Sequence, residues 1–329
     1  MTYDYTSLGF YTFDCLCWPY ESVPEGSNTN MVEDFTLAVS GAAGTAVIAA
    51  AKMGLNCLAV GGLGDDLMGD WVNQRLRGFG IDVSGLMRIA GGKTSSSIVL
   101  TRADGSRPVQ HMKGATRDFY VCDDLFPKVI DTHILHLGGV GLMDRMDHGR
   151  NAEIAKRAQE QGTITTADVF AASPADMAAL ESILPYIDYF MPSIEEAAAL
   201  TGLHDLNDIA SYFIDRGVRC CVFTLGADGA YYHHRDGTIF TQPAYEITMK
   251  CSCGCGDVFD GAFAVALRHG MDAETAVTFA QAGSALNATG LGSQAGIISF
   301  DETMDFMRKT RRRTTRPANT LTQTVTASA

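Results

Sequence analysis

The segment "KCSCGCGDVFDGAF" at residues 250–263 contains the features on which the interpretation of the whole chain depends. Gly254 and Gly256 flank Cys255, and Asp257 then opens a run of apolar residues at helical spacing. A glycine-rich turn that leads straight into a helix presents unpaired backbone N–H groups to an anion, and the helix dipole favours negative charge there. The segment therefore predicts an anion-binding turn.

The three alternate cysteines of this segment suggest a metal site as an alternative. Zinc sites favour cysteine pairs separated by two residues, and they need a fourth ligand. The only histidine nearby in the sequence, His269, lies at the far end of the predicted helix. The metal interpretation is therefore the weaker of the two.

Asp257 has two possible roles at the start of the predicted helix. It can cap the helix or complement its dipole. It can also act as a general base that takes a proton from a hydroxyl attacking a bound phosphoryl group. The spacing alone leaves both roles open.

Composition and charge narrow the class of protein. The chain has 329 residues with 46% apolar and 19% charged residues, which is typical of a soluble protein with a sizeable core. A net charge of −13 argues against nucleic-acid or anionic-membrane partners, because both need a basic surface. No Lys or Arg precedes Lys52, and the most apolar stretch is too short to span a bilayer, so a cytoplasmic protein is expected. The nine cysteines, an odd number in a long chain, are expected to be reduced.

Strand-like and helix-like segments alternate along most of the chain, which predicts a mainly parallel sheet covered on both faces. The predicted strands lie at residues 7–17, 56–64, 132–139, 162–170, 187–192 and 219–226. The predicted helices lie at residues 41–54, 66–80, 148–161, 174–184, 194–201, 257–269 and 272–288.

Two regions interrupt this alternation. Residues 15–38 are polar and irregular, and residues 93–113 have the pattern of a hairpin around residues 103–106. Together they could form one small accessory sheet. The segment from residue 311 onwards is poor in apolar residues and is expected to be disordered.

Other glycine-rich motifs fail as nucleotide-binding fingerprints. The "GGKT" at residues 91–94 lacks the glycine that a P-loop needs at position 87, which is Met87. The "GLGSQA" at residues 290–295 follows a helical segment rather than a strand, so the context of a dinucleotide-binding motif is missing. A nicotinamide-dependent oxidoreductase is therefore disfavoured.

The G-x-G-D motif followed by an apolar helix resembles the ribokinase family, the PfkB-type carbohydrate kinases. Further segments resemble motifs of that family in the same order, over residues 6 to 308. They are "SGAAGTAVIAAAKMG" (40–54), "VGGLGDDLMGDWVNQRLRGFGID" (60–82), "DYFMPSIEEAAALTG" (188–202), "VFTLGADGAYY" (222–232) and "FAQAGSALNATGLGSQAGI" (279–297).

The resemblance implies an α/β three-layer sandwich with a central, mainly parallel sheet and a small β-sheet lid. The core would comprise residues 1–14, 39–92 and 118–310, and the lid residues 15–38 and 93–117. The implied activity is ATP-dependent phosphorylation of a hydroxymethyl group on a sugar-like small molecule, with Mg²⁺ accompanying the ATP. A nucleoside kinase of the same fold and a catalytically weak binding or regulatory relative are the alternatives.

The resemblance also implies roles for individual residues. Asp257 matches the general base, and Gly254, Cys255 and Gly256 match the anion hole. The substrate-binding positions are Asp14, which is expected to end the first strand, Gly41, Thr45 and Lys113. The nucleotide-binding positions are Ser193, Thr224, Gly226 and Gln281. Glu196 matches the residue that organises Mg²⁺ through water.

Several positions depart from the family pattern. Cys251 stands where an aspartate is usual, which argues against a monovalent-cation site. Ser193 and Thr45 each replace a usual asparagine. The positions that match the general base and the anion hole keep the family's G-x-G-D motif, whereas the positions that match acceptor contacts vary. The pattern therefore suggests that phosphoryl transfer is retained and that the acceptor is unusual.

The predicted lid has two further features. Its cations, Arg107, His111, Lys113 and Arg117, fit a solvated strand face more simply than a site for an anionic acceptor. The exposed edges of the lid sheet could be covered by a second copy of the chain, which makes a homodimer through the lid plausible.

Overall fold

The secondary structure is taken from a computed structural model, which describes residues 1–170 and 173–314. The strands are β1 (Tyr3–Gly9), β2 (Thr12–Trp18), β3 (Asp34–Ser40), β4 (Cys57–Gly64), β5 (Asp82–Ile89), β6 (Ser96–Leu100), β7 (Val109–Met112), β8 (Thr132–Val140), β9 (Ile164–Val169), β10 (Tyr189–Phe190), β11 (Cys220–Thr224), β12 (Ala230–His234) and β13 (Ile239–Gln242). The helices are α1 (Ala42–Lys52), α2 (Leu67–Gly78), α3 (Phe126–Ile130), α4 (Asp144–Asp147), α5 (Arg150–Glu160), α6 (Met177–Glu181), α7 (Ile194–Thr201), α8 (Leu206–Ile214), α9 (Cys255–Arg268), α10 (Ala273–Ala288) and α11 (Phe300–Lys309).

The larger sheet has nine strands in the order β13-β12-β11-β10-β9-β8-β1-β4-β5. All neighbouring strands from β11 to β5 are parallel, and only β12 and β13 are antiparallel additions. Successive side chains of β8 enter two different cores: Ile134 packs with α1, α2, α9 and α10, and Leu135 packs with α5, α7 and α8. The predicted parallel sheet with helices on both faces is confirmed.

A smaller sheet of four strands stands apart, in the order β3-β2-β6-β7. Strands β6 and β7 are antiparallel, which confirms the predicted hairpin. The prediction that residues 15–38 are irregular is wrong at both ends, where β2 and β3 pair along their whole length.

One predicted strand is in fact two. Residues 7–17 were expected to form a single strand ending near Asp14, but β1 stops at Gly9 and β2 begins at Thr12. The bend between them is fixed by the buried Tyr11, whose hydroxyl donates to the carbonyl oxygen of Ser7 at 2.7 Å. Asp14 therefore belongs to the smaller sheet and not to the end of β1.

The remaining differences concern short elements and one terminus. The helix predicted at residues 174–184 is reduced to α6 with single 3₁₀ turns on either side, each of which has a proline at its first or second position. Strands β5, β12 and β13 and helices α8 and α11 were not predicted. The disorder predicted from residue 311 is wrong for residues 311–314, where Arg312 pairs with Tyr245; residues 315–329 lie outside the described residues. Within the described part of the chain, no helix has the length and apolar character needed to cross a membrane.

Candidate active site

A cleft of about 410 Å³ lies between the larger sheet and the smaller one. Asp168 and Thr224 reach it from the carboxyl ends of β9 and β11, the edge of a parallel sheet where ligands bind. Asp14, Ser97 and His111 reach it from β2, β6 and β7. The smaller sheet therefore covers the cleft, and we call it the lid.

A second cavity, of about 380 Å³, adjoins the first, with Thr224 and Gly256 contributing to both. Its lining is mostly apolar and includes Phe259 and Tyr245. We name the two spaces after the ligands that the sequence resemblance leads us to expect there: the acceptor cleft for the first and the nucleotide cavity for the second. The predicted anion-binding turn lies where they meet.

The geometry of this turn depends on Gly254, the residue that precedes α9. Its φ of 68° is in the left-handed region. A Cβ atom here would lie 2.9 Å from Cβ of Ser293 and 3.0 Å from Cγ2 of Thr45, so a larger residue would displace the turn.

The backbone of the turn is available to an anion. The N–H of Cys255 makes a long hydrogen bond of 3.4 Å to the carbonyl of Ser252. Among the described residues, none accepts a hydrogen bond from the N–H of Gly254, Gly256 or Asp257. The start of α9 thus has unsatisfied donors facing the junction of the two cavities.

Asp257, in the first turn of α9, lines the acceptor cleft. Burial raises the pKa of its carboxyl to about 6, with Arg107 opposing this shift and the charge of Glu196 adding to it. The hydroxyl of Thr45 also lowers this pKa, although it makes no hydrogen bond of ordinary geometry to a described residue. No side chain makes a capping hydrogen bond at the start of α9, but Asp257 lies in the first turn, where a carboxylate complements the helix dipole.

Further carboxyl groups lie near Asp257. Asp260 is buried one turn further along α9, and its Oδ2 is 3.9 Å from Nε2 of the buried His136. Burial lowers the pKa of His136 to about 3, so its imidazole is neutral. Burial, together with the charges of Asp260 and Glu196, raises the pKa of Asp168 well above its usual range. These carboxyl groups cannot all be ionised at once.

Asp14 and Gly41, which were predicted to bind substrate, both line the acceptor cleft. Asp14 is 4% exposed, and burial raises its pKa although the hydroxyl of Thr12 donates to its Oδ1 at 2.9 Å. Gly41 has a φ of 90°, and a Cβ atom there would lie 2.4 Å from the carbonyl oxygen of Phe10.

Lys113 and Thr45, which were also predicted to bind substrate, do not line the acceptor cleft. Lys113 follows the end of β7 and forms an ion pair with Asp144, on a different groove that it shares with Arg117. Thr45 is completely buried beneath the turn at Gly254, so it supports the turn from behind.

Ser193 and Glu196 form a capping box at the start of α7. Oε2 of Glu196 accepts from the N–H of Ser193 at 3.0 Å and from its hydroxyl at 2.7 Å. Both residues line the acceptor cleft, although Ser193 was predicted to contact the nucleotide. Oxygens such as those of Glu196 and Asp168 are the ligands that Mg²⁺ prefers. In the chain as described, no three His, Cys, Asp or Glu side chains are placed to hold a metal directly.

Thr224, Gly226 and Gln281 all line the nucleotide cavity. The amide nitrogen of Gln281 donates to the carbonyl of Gln242 at 3.0 Å. Its Oε1 is buried and has no hydrogen-bond partner among the described residues. An unpaired acceptor of this kind suits the exocyclic amine of a base.

Sequence reasoning missed an aromatic group in the acceptor cleft. Phe10 and Phe170 pack edge to face with ring centroids 5.1 Å apart, and His111 lies 6.0 Å from the first and 5.5 Å from the second. Arg107 lines the same cleft. Phe10 and Phe170 directly follow β1 and β9, so the carboxyl-end rule could have identified them once those strand ends were known.

The chain belongs to the pfkB family of carbohydrate kinases, whose family model matches residues 9–299. It is therefore a phosphotransferase that has an alcohol group as acceptor. Fructokinase-1 of Oryza sativa subsp. japonica is 28% identical over 308 residues, which cover 87% of this chain and 94% of that protein. The aminoimidazole riboside kinase of Salmonella typhimurium (strain LT2) is 28% identical over 304 residues, which cover 87% and 91%.

Solved structures show the same fold. Arabidopsis thaliana ribokinase, complexed with ribose and ATP, superposes with a TM-score of 0.78 at 21% identity, covering 94% of this chain and 99% of that one. A ribokinase-type protein of E. coli, complexed with ATP and Mg²⁺, superposes with a TM-score of 0.79 at 21% identity, covering 93% and 99%.

Proposed function

We propose that the enzyme transfers the γ-phosphoryl group of ATP to a hydroxymethyl group of a sugar-like small molecule. The observation that supports this is the position of the turn at residues 254–257. It lies at the junction of a polar cleft beneath the lid and a mostly apolar cavity. A phosphoryl group at that junction would meet an acceptor from one side and its nucleotide from the other.

The residues of the turn then have defined tasks. Asp257 accepts the proton of the acceptor hydroxyl. The hydroxyl oxygen forms a bond to the γ-phosphorus, and the bond between the γ-phosphorus and the bridging oxygen of the β-phosphate breaks, which releases ADP. The N–H groups of Gly254 and Gly256 donate to the oxygens on which charge develops. Asp14 binds other hydroxyls of the acceptor.

The nucleotide would lie in the cavity lined by Thr224, Gly226 and Gln281, with Oε1 of Gln281 accepting from the base. Mg²⁺ would arrive with the ATP and neutralise phosphate charge. Glu196 would hold it through water, because one oxygen of this carboxylate is already used by Ser193.

A nucleoside kinase of the same fold is the second candidate. The aromatic group of Phe10, Phe170 and His111 favours it, because a planar base can stack on such rings. The name of the Salmonella relative, a riboside kinase, points in the same direction, and the name of the rice relative points to a sugar.

An ADP-release screen over ketoses, pentoses, sugar acids, phosphosugars and ribosides tests the proposal. We expect Mg²⁺-dependent ADP release with at least one of them and a phosphorylated product at its hydroxymethyl group. ATP binding without transfer to any acceptor would instead support a regulatory relative.

We expect turnover that does not depend on K⁺. Cys251 is fully buried, and its sulfur is 3.6 Å from Oγ1 of Thr101 and accepts from the N–H of Cys253 at 3.4 Å. Sulfur is a soft donor, whereas hard cations prefer oxygen. Initial rates in potassium, sodium and choline chloride at equal ionic strength measure this, and strong activation by K⁺ would show the prediction to be wrong.

The outer face of the lid is apolar, and we propose that a second copy of the chain covers it. Strand pairing places Phe35, Leu37, Ile98 and Met112 on the face opposite Asp14. Phe35 is 64% exposed and Ile98 is 55% exposed. Contiguous exposed apolar surface of this kind marks an interaction site.

Phe35→Lys should convert a dimer into a monomer, because it places a charge within the proposed contact. Sedimentation velocity at micromolar concentration measures this. Val23→Lys is the matched control, since Val23 is exposed in the lid region but lies outside its strands. A monomeric wild-type protein would contradict the proposal.

A further inference from the structure

The lid is attached directly to the segment that leads into the anion-binding turn. The carbonyl oxygen of Gly105, in the turn between β6 and β7, accepts from the hydroxyl of Ser252 at 3.2 Å and from its N–H at 3.4 Å. Oγ1 of Thr101 contacts the sulfur of Cys251 at 3.6 Å. Consecutive residues before the turn therefore bind the lid hairpin.

A third contact ties the same segment to the other end of the lid. Nζ of Lys250 pairs with the carboxylate of Asp34, the first residue of β3, at 3.2 Å and lies over the ring of Trp18. Residues 250–252 thus contact the lid from both sides. When the lid packs against residues 250–252, these contacts also fix the segment before Gly254.

Arg107 lies two residues beyond Gly105 and lines the acceptor cleft together with Gly254, Gly256 and Asp257. Among the described residues, none forms an ion pair or a hydrogen bond with its guanidinium group. Arg107 is an exposed residue, so its guanidinium group is accessible to a ligand in the cleft. The unpaired cation therefore faces the anion-binding turn.

The position of this cation decides whether it would bind the phosphoryl group or an anionic group on the acceptor. The hairpin turn that carries Arg107 is held through Gly105 by Ser252, only two residues before Gly254. A guanidinium group there can bind two oxygens of a phosphoryl group at once. Fixed positive charge beside a transferring phosphoryl group stabilises its transition state.

We propose that Arg107 is a catalytic residue delivered by the lid, whose guanidinium binds the oxygens of the phosphoryl group during transfer. Ser252, through Gly105, is the positioning residue that holds the hairpin over the turn. Docking of the lid and completion of the anion hole are then one event. This inference rests on the proposed kinase function.

Arg107→Gln tests the role, with Arg102→Gln as the matched control. Arg102 is exposed in the same hairpin, and among the described residues its guanidinium group donates to the hydroxyl of Ser106 alone, so its loss should leave turnover unchanged. Arg107→Gln should lower kcat by about 10²–10³-fold with little change in the acceptor KM, because the interaction exists only in the transition state. Arg107→Lys should restore little, since it lacks the fork of donors.

The assay uses whichever of D-fructose, D-ribose or aminoimidazole riboside gives the fastest wild-type turnover. Partial rescue of Arg107→Ala by added guanidinium chloride would support the role further. A higher acceptor KM at unchanged kcat would overturn it and would assign Arg107 to an anionic group on the acceptor. Unchanged kinetics would also overturn it while leaving the kinase function intact, whereas a wild-type protein that transfers phosphate to no acceptor in the whole ADP-release screen would refute the kinase function itself.

Discussion

Asp257→Asn should lower kcat by about 10²–10⁴-fold, because the amide cannot accept the proton of the attacking hydroxyl. The substitution keeps the shape of the side chain and removes no capping hydrogen bond from α9. ATP binding, measured by calorimetry, should be preserved. Near-normal turnover would show that Asp257 is not the base.

The stability of this variant provides a control. A carboxyl whose pKa is raised in the folded state stabilises the fold below its ordinary pKa, and this contribution is lost as the pH rises through about 6. At pH 8 the ionised Asp257 therefore destabilises the folded wild type, and the neutral asparagine removes this effect. The Tm of Asp257→Asn at pH 8 should not be lower than that of the wild type.

The same raised pKa sets the pH dependence of the reaction. Asp257 can act as a base only when ionised, so kcat/KM of the wild type should fall below about pH 6, by about tenfold per unit at the limit. Arg107 opposes the shift of this pKa, so Arg107→Gln should move the acidic limb to higher pH. A wild-type profile without a fall in kcat/KM near pH 6 would contradict the assignment of Asp257 as the base.

The turn before α9 could be predicted from sequence because its parts are local. Gly254, Cys255, Gly256 and Asp257 are consecutive, and a helix N-terminus follows from the order of the residues alone. The parallel sheet could be predicted for a similar reason, since long strand and helix patterns alternate along the chain.

The acceptor side could not be predicted in the same way because distant segments build it. β2 pairs with β3 and β6, so the face that Asp14 occupies depends on a strand start at Thr12, which the apolar pattern of residues 7–17 conceals. Strand parity likewise turns His111 into the cleft. Lys113 lies outside the cleft because β7 ends at Met112. A shift of one residue in a strand reverses such assignments.

Gly254→Ala should lower kcat by about 10²-fold, because the turn must move before a methyl group fits. The added Cβ would lie 2.9 Å from Cβ of Ser293 and 3.0 Å from Cγ2 of Thr45, neither of which is the end of a long flexible side chain. Displacing the backbone moves the N–H groups away from the phosphoryl oxygens, and the loss of one such donor costs about 10²–10³-fold in other enzymes.

Gly270→Ala is the matched control at the other end of α9. Gly270 has a φ of 70°, close to the 68° of Gly254, but a Cβ atom there has no neighbour within 4 Å. Both variants should therefore lose about 1 kcal/mol of unfolding free energy from backbone strain, and only Gly254→Ala should lose turnover. Equal kcat values for the two variants would mean that the position of the turn does not limit phosphoryl transfer, and that the N–H groups at residues 254–256 are not the donors that stabilise it.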